Sequence, residues 1–422
     1  MVRQPQKRIS LRPEWRAATA AIALAIVFLA APPAHSQTFT VLHNFAGGRD
    51  GSQPVAGLTI DRAGNLYGTA SAGGAGYGTV FKLAFKNSGW ILSPLYSFAG
   101  GEDGAGPVTA PVVGSNGTLY GSTAAGGGGS CSEIYEYSGC GTVFNLHPGV
   151  AVCKSVLCPW TEAVLYRFAG GSDGAYPIGK LLFDQSGNMY GATFDYLQFG
   201  SLGTVFELTP SGSGWTKSVL QRFDGGDGQY PLAGLIAGPS GSLVGTTYYG
   251  GAHSDGAVYQ LTPSGSGWSE SVLYSFQGGN DGANPAAGLI SDNAGNLYGA
   301  TTVGGSGGGG TVFELTPSNG QWTLSVLYSF TGSAGPSNSL VLDMAGNLYG
   351  TTVEDGTYGA GTVFELTPSG GSWTYTDLHD FTGGSDGSDP FGGVTLDANG
   401  NIYGTTEAGG ANGDGIVFEI TP

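Results

Sequence analysis

The stretch Asp292–Thr302 reads DNAGNLYGATT, and versions of it recur along the chain. Its central Asn-Leu-Tyr-Gly, or a close variant, occurs at Asn65–Gly68, Thr118–Gly121, Asn188–Gly191, Ser242–Gly245, Asn296–Gly299, Asn347–Gly350 and Asn401–Gly404. A small or turn-forming pair such as Ala-Gly precedes each copy and a Thr-rich end follows it, which is typical of a tight turn that leads into a β-strand. A repeat of about 50 residues with only short strand patterns inside it indicates a propeller or another repeat array.

Each repeat contains three further strand patterns. A strand that ends in Phe, such as Val272–Phe276 (VLYSF), precedes a Gly-rich turn such as Gly278–Gly282 (GGNDG), a proline and a short apolar stretch. The NLYG strand follows, and then a strand of GTVFELTP type, which begins at Gly310 in the fifth repeat. Four short strands in each of seven repeats predict one all-β domain, a seven-bladed β-propeller of four-stranded blades.

The two ends of the chain predict how the ring closes. The last repeat stops at Pro422, directly after its third strand, whereas Thr38–Phe45 supplies an extra strand of the VLYSF type. If Thr38–Phe45 is the outer strand of the last blade, all seven blades have four strands and no open junction remains. We therefore expect Thr38–Phe45 to pair with the strand around Gly415–Thr421.

Glycine is the unusual component of the composition, at 80 of 422 residues, without the every-third spacing of collagen. Hydrophobic residues at 40% and aromatic residues at 11% recur in register, which indicates a folded β protein with Gly-rich turns. The formal net charge is −17. Nucleic acid is not expected as a partner, because phosphate binding requires a basic face.

The first 36 residues predict a secretory signal peptide, which leaves 37–422 as a single propeller domain. Basic residues precede the apolar run Ala17–Ala31, and Ala34-His35-Ser36 offers small residues for cleavage before Gln37. The run is short for a membrane span, and an uncleaved anchor is the alternative interpretation. We expect a secreted or periplasmic monomer with no membrane span in the mature chain.

Four cysteines lie close together, at Cys131, Cys140, Cys153 and Cys158. In an exported protein they predict disulfides, and four cysteines permit three pairings. The pairs closest in sequence, Cys131–Cys140 and Cys153–Cys158, are favoured because each would staple one local insertion. A zinc site is the alternative, although the spacing does not provide two C-x-x-C knuckles.

The order VLYSF, GGxDG, AGNLYGTT, GTVFELTPSG and Trp resembles the GloVer repeats of the choice-of-anchor tandem repeat proteins. The resemblance covers essentially the whole chain after the signal peptide, and its motifs are long enough to be specific. It implies a bacterial surface or secreted repeat protein, with no established activity and no catalytic residues to transfer. Many relatives end in a sorting tail that this sequence lacks, so secretion is expected and anchoring is not.

Catalytic residues are not expected from the motifs, and an enzyme is the less favoured interpretation. GGSDG at Gly170–Gly174 matches the G-x-S-x-G pattern of a serine nucleophile, but the equivalent turns place Arg49 or Glu102 at the serine position. The context is strand-turn-strand instead of strand-to-helix, so this segment predicts a turn. The histidines offer no metal-ligand spacing and no Ser-His-Asp order.

An aspartate recurs in the Gly-rich turn of six repeats, at Asp50, Asp103, Asp173, Asp227, Asp281 and Asp386. Each turn offers one carboxylate, whereas calcium prefers six to eight oxygen ligands, so Asx-type turns are favoured. Calcium binding is the alternative, and no other cofactor is expected.

A tyrosine recurs in the NLYG motif, at Tyr67, Tyr120, Tyr190, Tyr298, Tyr349 and Tyr403. Because nearly every repeat has it, we predict packing between blades with the hydroxyl hydrogen-bonded. Stacking on sugars is the alternative.

The loop between the second and third strands and the turn that leads to the next inner strand are expected on one face of the propeller. Binding groups concentrate on exposed loops of rigid scaffolds. The residues of these loops that repetition does not explain are Glu133, Tyr135, Tyr137, Asp195, Tyr196, Tyr248, Tyr249, His253, Asp255, Glu354 and Asp355. Their aromatic and acidic character suits a sugar or a cationic ligand, and solvated loops without a ligand are the alternative.

Small residues recur three positions after the proline of each repeat and predict the crowded centre of the ring. Lys180 is the one large residue in this series. We expect Lys180 to project toward the central channel as part of the ligand-binding set, or to extend its ammonium into solvent.

These observations predict a secreted, non-catalytic module that binds carbohydrate or a cell-envelope component. The alternative is an extracellular carbohydrate-active lyase or hydrolase that uses the face with the variable loops. Two loop carboxylates, or a carboxylate with a histidine, around one channel mouth would favour the enzyme. Aromatic pockets between blades would favour the binding module, and the fold alone does not distinguish the two.

Overall fold

Seven antiparallel sheets of four strands follow one another along the chain. The computed structural model describes residues 1, 37–134, 136–149, 160–195, 200–212, 214–265 and 267–422. Gln37–Pro422 is one compact unit, and its sheets are the blades of a β-propeller, which confirms the predicted fold. Among the described residues no helix is long or apolar enough to span a membrane. The predicted signal peptide lies outside the described residues, apart from Met1, and stays a prediction.

The blades are numbered along the chain, and their strands are ordered from the central channel outward. Blade 1 contains β2 (Thr59–Ile60), β3 (Leu66–Ala70), β4 (Thr79–Lys86) and β5 (Gly89–Ser97). Blade 2 contains β6 (Val112–Val113), β7 (Leu119–Thr123), β8 (Thr142–His147) and β9 (Thr161–Arg167). Blade 3 contains β10 (Leu182–Phe183), β11 (Met189–Thr193), β12 (Thr204–Ser211) and β13 (Gly214–Arg222). Blade 4 contains β14 (Ile236–Ala237), β15 (Leu243–Thr247), β16 (Ala257–Ser264) and β17 (Gly267–Ser275).

The remaining blades repeat this order. Blade 5 contains β18 (Ile290–Ser291), β19 (Leu297–Thr301), β20 (Thr311–Ser318) and β21 (Gln321–Ser329). Blade 6 contains β22 (Val341–Leu342), β23 (Leu348–Thr352), β24 (Thr362–Ser369) and β25 (Ser372–Asp380). Blade 7 contains β26 (Val394–Leu396), β27 (Ile402–Thr406), β28 (Ile416–Thr421) and, as its outer strand, β1 (Thr38–Asn44). Two 3-10 helices occur in turns, η1 (Gly171–Asp173) and η2 (Pro239–Gly241).

The ring closes through β1, as predicted. β1 pairs antiparallel with β28, with Thr38 opposite Thr421 and Asn44 opposite Ile416. The N-terminal strand therefore covers the edge that β28 would otherwise expose.

The glycine of the NLYG motif makes room for an aromatic ring from the next strand. In blade 5, Gly299 lies opposite Phe313, and a Cβ at Gly299 would be 2.6 Å from the ring Cζ of Phe313. An aromatic ring placed over a strand glycine protects exposed backbone and fixes the register. The equivalent cross-strand pairs are Gly68–Phe81, Gly121–Phe144, Gly191–Phe206, Gly245–Tyr259, Gly350–Phe364 and Gly404–Phe418.

The same aromatic rings join neighbouring blades. Phe276, which closes the outer strand of blade 4, meets Phe313 of blade 5 with ring centroids 5.2 Å apart. Such pairs contribute about 0.5–1.5 kcal/mol each beyond the apolar area that they bury. The other pairs are Phe45–Phe81, Phe98–Phe144, Phe168–Phe206, Phe223–Tyr259, Phe330–Phe364 and Phe381–Phe418. The strand-ending Phe of the sequence repeat is thus the contact between blades.

The glycine before the third strand is required by the proline of the following repeat. Gly256 has φ +97°, and a Cβ there would be 2.5 Å from Cδ of Pro285. Near the channel, the hydroxyl of Thr246 in blade 4 donates to the carbonyl of Ala287 in blade 5 at 3.0 Å. These contacts fix the inner segment of one blade against the strands of the blade before it.

The inner strands are shorter than the sequence predicts. The apolar stretch Ala287–Ile290 indicates a strand, but only Ile290–Ser291 is paired in blade 5. Gly288 and Leu289 line the central channel instead. They have no neighbouring strand on the channel side, because the sheet ends there.

Candidate functional site

The variable loops and the Gly-rich turns lie on one face of the propeller, as expected. In blades 1, 2, 4, 5 and 7, isolated bridges join the segment before the inner strand to the loop after the second strand, for example Gln229 to Tyr249 and Ala283 to Val303. Gly250 in this loop has φ +77°, and a Cβ there would be 2.6 Å from the backbone of Gly228. The glycines of the variable loops therefore permit the close approach of two loops.

A pocket of about 480 Å³ opens on this face, and we call it the mouth pocket. It extends over loops of blades 3 to 7, and most of its wall is aromatic or aliphatic. Its lining residues are Phe194, Tyr230, Leu232, Tyr248, Tyr249, Ala286, Thr302, Val303, Ala334, Gly335, Ser337, Val353, Glu354 and Phe391. An apolar, aromatic wall with a few polar groups is the usual composition of a small-molecule site.

A shortened turn borders the mouth pocket in blade 6. Pro336 follows Phe330 by six positions, whereas Pro285 follows Phe276 by nine. Gly335 lies in the short turn and lines the pocket. The residues that fill this space in other blades are missing here, which accounts for the opening.

Tyr230 occupies a backbone position that disfavours it. Its φ is +60°, in a conformation that Asn284 and Asp389 adopt at the equivalent positions of later repeats. Left-handed backbone costs about 1–3 kcal/mol for an ordinary residue, and its recurrence, also at Tyr176, makes it a feature of the repeated turn. Two backbone hydrogen bonds hold Tyr230, to Leu202 and from Tyr248. The ring of Tyr230 is thereby set in the floor of the mouth pocket.

The aromatic rings of the pocket contact one another edge to face. The ring centroids of Tyr230 and Phe194 are 5.2 Å apart, and those of Tyr248 and Tyr249 are 4.7 Å apart. Tyr249 is 41% exposed and Phe391 is 36% exposed, so both present ring surface to solvent. The ring of Tyr249 is supported by those of Tyr230 and Tyr248, with centroids 6.2 and 4.7 Å away, and needs little reorganisation to contact a ligand.

Glu354 is the one carboxylate among the described residues that line the mouth pocket. It is exposed, and its carboxylate accepts a hydrogen bond of 2.8 Å from the hydroxyl of Ser333 in the short turn. The contact positions one charged acceptor at the rim of an otherwise uncharged pocket.

The structure brings together only part of the predicted site. Tyr248, Tyr249 and Glu354 line the mouth pocket, whereas His253 is exposed on the same loop but does not line it. Glu133 is exposed in the second repeat, away from the pocket lining. Tyr135 and Tyr196 lie outside the described residues.

Asp255 and Asp355 have structural contacts. The carboxylate of Asp255 lies against Gly278 of the following turn, where a Cβ would be 2.6 Å from Oδ2. Asp355 packs in the same way against Gly332, with 2.8 Å between a built Cβ and Oδ1. Each aspartate thus packs its variable loop against the adjacent turn.

Asp195 was expected in an exposed loop, and that expectation is wrong. Its side chain is buried and accepts hydrogen bonds from Ser201 at 2.9 Å, from Thr193 at 3.2 Å and from the amide of Ala175. Burial raises the pKa of Asp195 to about 6 despite these bonds. Its oxygens satisfy loop donors and face protein rather than solvent.

Tyr137 also has a defined partner. Its hydroxyl lies 3.1 Å from the carbonyl of Gly76, and its ring centroid is 5.5 Å from that of Tyr77. It joins the loops of blades 1 and 2.

In the same loop Cys131 and Cys140 form a disulfide, which confirms the first predicted pair. Cys153–Cys158 lies outside the described residues and stays a prediction.

The repeated tyrosines pack between blades, as predicted. Tyr298 of blade 5 meets Trp373 of blade 6 edge to face, with centroids 6.4 Å apart. Its hydroxyl lies 3.0 Å from Glu314 and 3.3 Å from Asp292. Burial raises the pKa of Tyr298 above its usual range, and the hydrogen bond to Glu314 raises it further. These tyrosines are occupied by the scaffold.

The turn aspartates close their own turns. Asp281 accepts a hydrogen bond of 3.0 Å from the amide of Gln277, four residues earlier, and one of 2.9 Å from the hydroxyl of Tyr274. The amide that donates to Asp281 precedes the aspartate in sequence. In the predicted Asx turn the donating amide follows the aspartate, so the two arrangements differ. In blade 6, His379 replaces the tyrosine and lies 3.1 Å from Asp386. Within the described part of the chain, no three His, Cys, Asp or Glu side chains form a metal-binding cluster.

The central channel encloses about 460 Å³ and contains Lys180 in its lining, as expected. Gly57, Ala110, Gly234, Gly288 and Ser339 occupy the equivalent position in other blades and also line it. A Cβ at Gly234 would be 2.8 Å from the carbonyl oxygen of Lys180, so the inner segments of blades 3 and 4 touch. Desolvation lowers the pKa of Lys180.

Sequence reasoning missed three aromatic residues of the mouth pocket, namely Phe194, Tyr230 and Phe391. A signal was present for one of them, Phe391. Tyr230 carried no such signal, because the third repeat also has a tyrosine, Tyr176, at the equivalent position before its proline. Phe391 stands where the other repeats have aliphatic or small residues. A large aromatic side chain at a position that other repeats fill with smaller groups marks a local specialisation.

Solved structures with this architecture are distant in sequence. A putative 6-phosphogluconolactonase from Bacteroides uniformis is 15% identical, with 77% of this chain and 84% of that chain covered and a TM-score of 0.48. PorZ, a surface component of the type-IX secretion system of Porphyromonas gingivalis, is 15% identical over 86% of this chain, with a TM-score of 0.48. The match spans 46% of PorZ. At this level of similarity neither assigns a function.

A repeat family accounts for nearly the whole chain. The Gloeobacter/Verrucomicrobia repeat matches residues 25–158, 139–294 and 234–422. No curated protein sequence matches the chain. The three repeat matches together include every blade described above, and the chain therefore belongs to the Gloeobacter/Verrucomicrobia repeat family.

Proposed function

We propose that this protein is a secreted, non-catalytic binding module, and that the mouth pocket holds a sugar residue of an extracellular or cell-envelope glycan. The observation that supports this most directly is the pair of exposed rings, Tyr249 and Phe391, at the rim of a mainly apolar pocket. Sugar rings have an apolar C–H face that packs on aromatic rings, while their hydroxyls require a few polar groups.

The polar groups of the pocket suit sugar hydroxyls. Glu354, Thr302 and Ser337 line the pocket from different loops. The hydroxyl of Thr302 donates to the carbonyl of Asn284, so its oxygen can still accept a hydrogen bond from a sugar hydroxyl. The propeller holds these residues on loops of different blades, which interblade contacts keep in place. Such preorganisation favours binding by an exposed surface site.

The distribution of carboxylates favours binding over hydrolysis. Most glycosidases use two carboxyl groups about 5–9.5 Å apart, one of them as a general acid. Glu354 is the single carboxylate in the described lining of the mouth pocket, and His253 is not part of that lining. This distribution of carboxylates supports a binding module over a hydrolase.

Two features support export. Residues 1–36 have the charge, apolar run and cleavage residues of a signal peptide. The disulfide Cys131–Cys140 is typical of proteins that fold in an oxidising compartment.

The test is a screen of the mature protein against polysaccharides and cell-wall fragments, with binding measured by calorimetry and product release measured in parallel. Tyr248→Ala combined with Tyr249→Ala is expected to weaken binding at least tenfold without loss of folded protein. His253→Ala and Tyr358→Ala are the matched controls, because both residues are exposed loop residues outside the pocket lining. Product release from any substrate, or equal affinity in the pocket variant and the controls, would contradict the proposal.

A further inference from the structure

The central channel contains an isolated positive charge. Among the described residues that line it, Lys180 is the only charged one, and the others are small, aliphatic or uncharged polar residues. The repeat position that Lys180 occupies is Gly, Ala or Ser in the other blades. The scaffold therefore does not require a long cationic side chain at this point.

Lys180 has no ionic or hydrogen-bond partner among the residues that the structure describes. Lys217, by contrast, lies between blades 2 and 3 with its ammonium 3.0 Å from the carboxylate of Asp173. Lys180 is exposed to water inside the channel, so an anion that enters the channel can pair with its ammonium without displacing a protein partner. Desolvation lowers the pKa of Lys180, while its side chain still reaches water within the channel.

The channel and the mouth pocket share a wall. Leu232, Ala286 and Ser337 line both cavities. Each lies two residues before the channel position that is equivalent to Lys180, a distance of about 6–7 Å along extended chain. A substituent of a sugar bound in the mouth pocket can therefore extend toward the ammonium of Lys180. The flexible four-carbon side chain of Lys180 allows the ammonium to move toward that substituent.

We propose that the mouth pocket recognises the terminal residue of an acidic glycan, with the carboxylate of that residue paired to Lys180 in the channel. This inference rests on the proposed function and specifies its ligand. The aromatic rim holds the sugar ring, and the ammonium selects the anionic substituent. Because the charge lies below the pocket, an internal residue of a linear chain does not reach it, and the recognition is end-on.

The net charge of the chain is −17, so Lys180 attracts an anion only at short range, inside the channel. A long polyanion is repelled by the molecule as a whole, and Glu354 adds one negative charge at the rim. A single terminal carboxylate gains the contact with Lys180 while exposing little further charge to the acidic surface.

The test compares, in calorimetry with the mature protein, an oligosaccharide that carries one uronic acid at its terminus with the same oligosaccharide after reduction of that carboxyl group. We expect wild type to bind the acidic ligand about tenfold more tightly, the size of one charge-assisted hydrogen bond in a partly desolvated site. Lys180→Ser, which copies the residue of blade 6, is expected to abolish this preference and to leave binding of the neutral ligand unchanged. Lys82→Met is the control, because Lys82 lies over the ring of Tyr67 and outside the channel.

Equal affinity of wild type for acidic and neutral ligands would overturn the inference and leave sugar binding intact. A preference that survives Lys180→Ser would also overturn it. If neither ligand binds, the proposed function fails in that assay, and acetylation of Lys180 provides the separate readout. Protection of Lys180 by glucuronate but not by glucose, followed by mass spectrometry, supports the anion site, and equal acetylation in both sugars refutes it. Sulfate and phosphate in the same assay distinguish a carboxylate site from a general anion site.

Discussion

Replacement of Glu270 by Gln is expected to stabilise the propeller at alkaline pH and to have little effect in acid. Glu270 lies on β17 opposite Leu261, at the position that Lys217 occupies in the preceding blade opposite Leu208. Lys217 pairs with the turn carboxylate of its neighbour, whereas Glu270 faces Asp227 and Asp224 of blade 3. Its Oε1 is buried and has no hydrogen-bond partner among the described residues.

Burial, reinforced by those two aspartates, raises the pKa of Glu270 from 4.5 to about 7. Between these values the folded state binds more protons than the unfolded state, so stability falls as the pH rises. The contribution of the neutral Glu270 side chain to stability is fully present below the pKa of the unfolded state, and it is lost above the pKa of the folded state. At about 1.4 kcal/mol per pKa unit, the change from 4.5 to about 7 corresponds to an upper limit of ~3.5 kcal/mol, which solvent screening of this partly exposed group reduces to about 1–2 kcal/mol.

Glutamine does not titrate, so Glu270→Gln is expected to raise the free energy of unfolding by about 1–2 kcal/mol at pH 8 and by much less at pH 4.5. Urea unfolding at both pH values, followed by tryptophan fluorescence, measures the difference. Glu162→Gln provides an independent repetition, because burial and Asp103 also raise the pKa of Glu162 to about 7 at the interface of blades 1 and 2. Glu133→Gln at an exposed loop is the control. An equal effect at both pH values, or a loss of stability at pH 8, would refute the reasoning.

Deletion of β1 should expose the edge of β28 and cause aggregation or loss of cooperative unfolding, and a monomer with unchanged melting in size-exclusion and thermal assays would contradict the closure. Lys217→Met should lower the free energy of unfolding by about 3 kcal/mol, because it leaves a half-buried carboxylate without its partner, and an unchanged urea midpoint would argue against that contact. Gly203→Ala should destabilise by at least ~2 kcal/mol, since its φ is +103° and a Cβ would be 2.4 Å from Cδ of Pro231. Gly214→Ala, where a Cβ meets open space, is the control, and similar unfolding midpoints for the two variants would count against the steric argument.

Much of the fold was predictable because its determinants are local and repeated. The NLYG motif recurs, and each copy combines a turn with a strand whose glycine accepts the ring from the next strand, as Gly299 accepts Phe313. The number of strand patterns also predicted β1 as the closing strand, because only that arrangement leaves no blade incomplete. The packing of Tyr298 between blades followed from its recurrence, since a residue present in nearly every repeat is expected to belong to the scaffold.

The site was predictable only in part. Tyr248, Tyr249 and Glu354 stand out as loop residues that repetition does not explain, and they do line the mouth pocket. Asp195 stands out in the same way, yet its carboxylate turns inward to satisfy Ser201 and other donors. The direction of a loop side chain depends on which donors the folded loop leaves unpaired, and the repeat pattern contains no information on that point.

The amino-acid sequence by itself determined the number of blades, the order of strands within them and the strand that closes the ring, because each depends on periodic patterns read along one chain. Only the tertiary structure decided where a pocket lies and which residues share it. Phe194 and Phe391 are far apart in sequence and line the same pocket because the ring brings blades 3 and 7 around one opening. The short turn before Pro336 leaves space there, and closure of the ring sets Lys180 within the adjoining channel. Such proximity is a property of the closed ring, in which distance depends on the position of a residue around the channel and not on its separation along the chain.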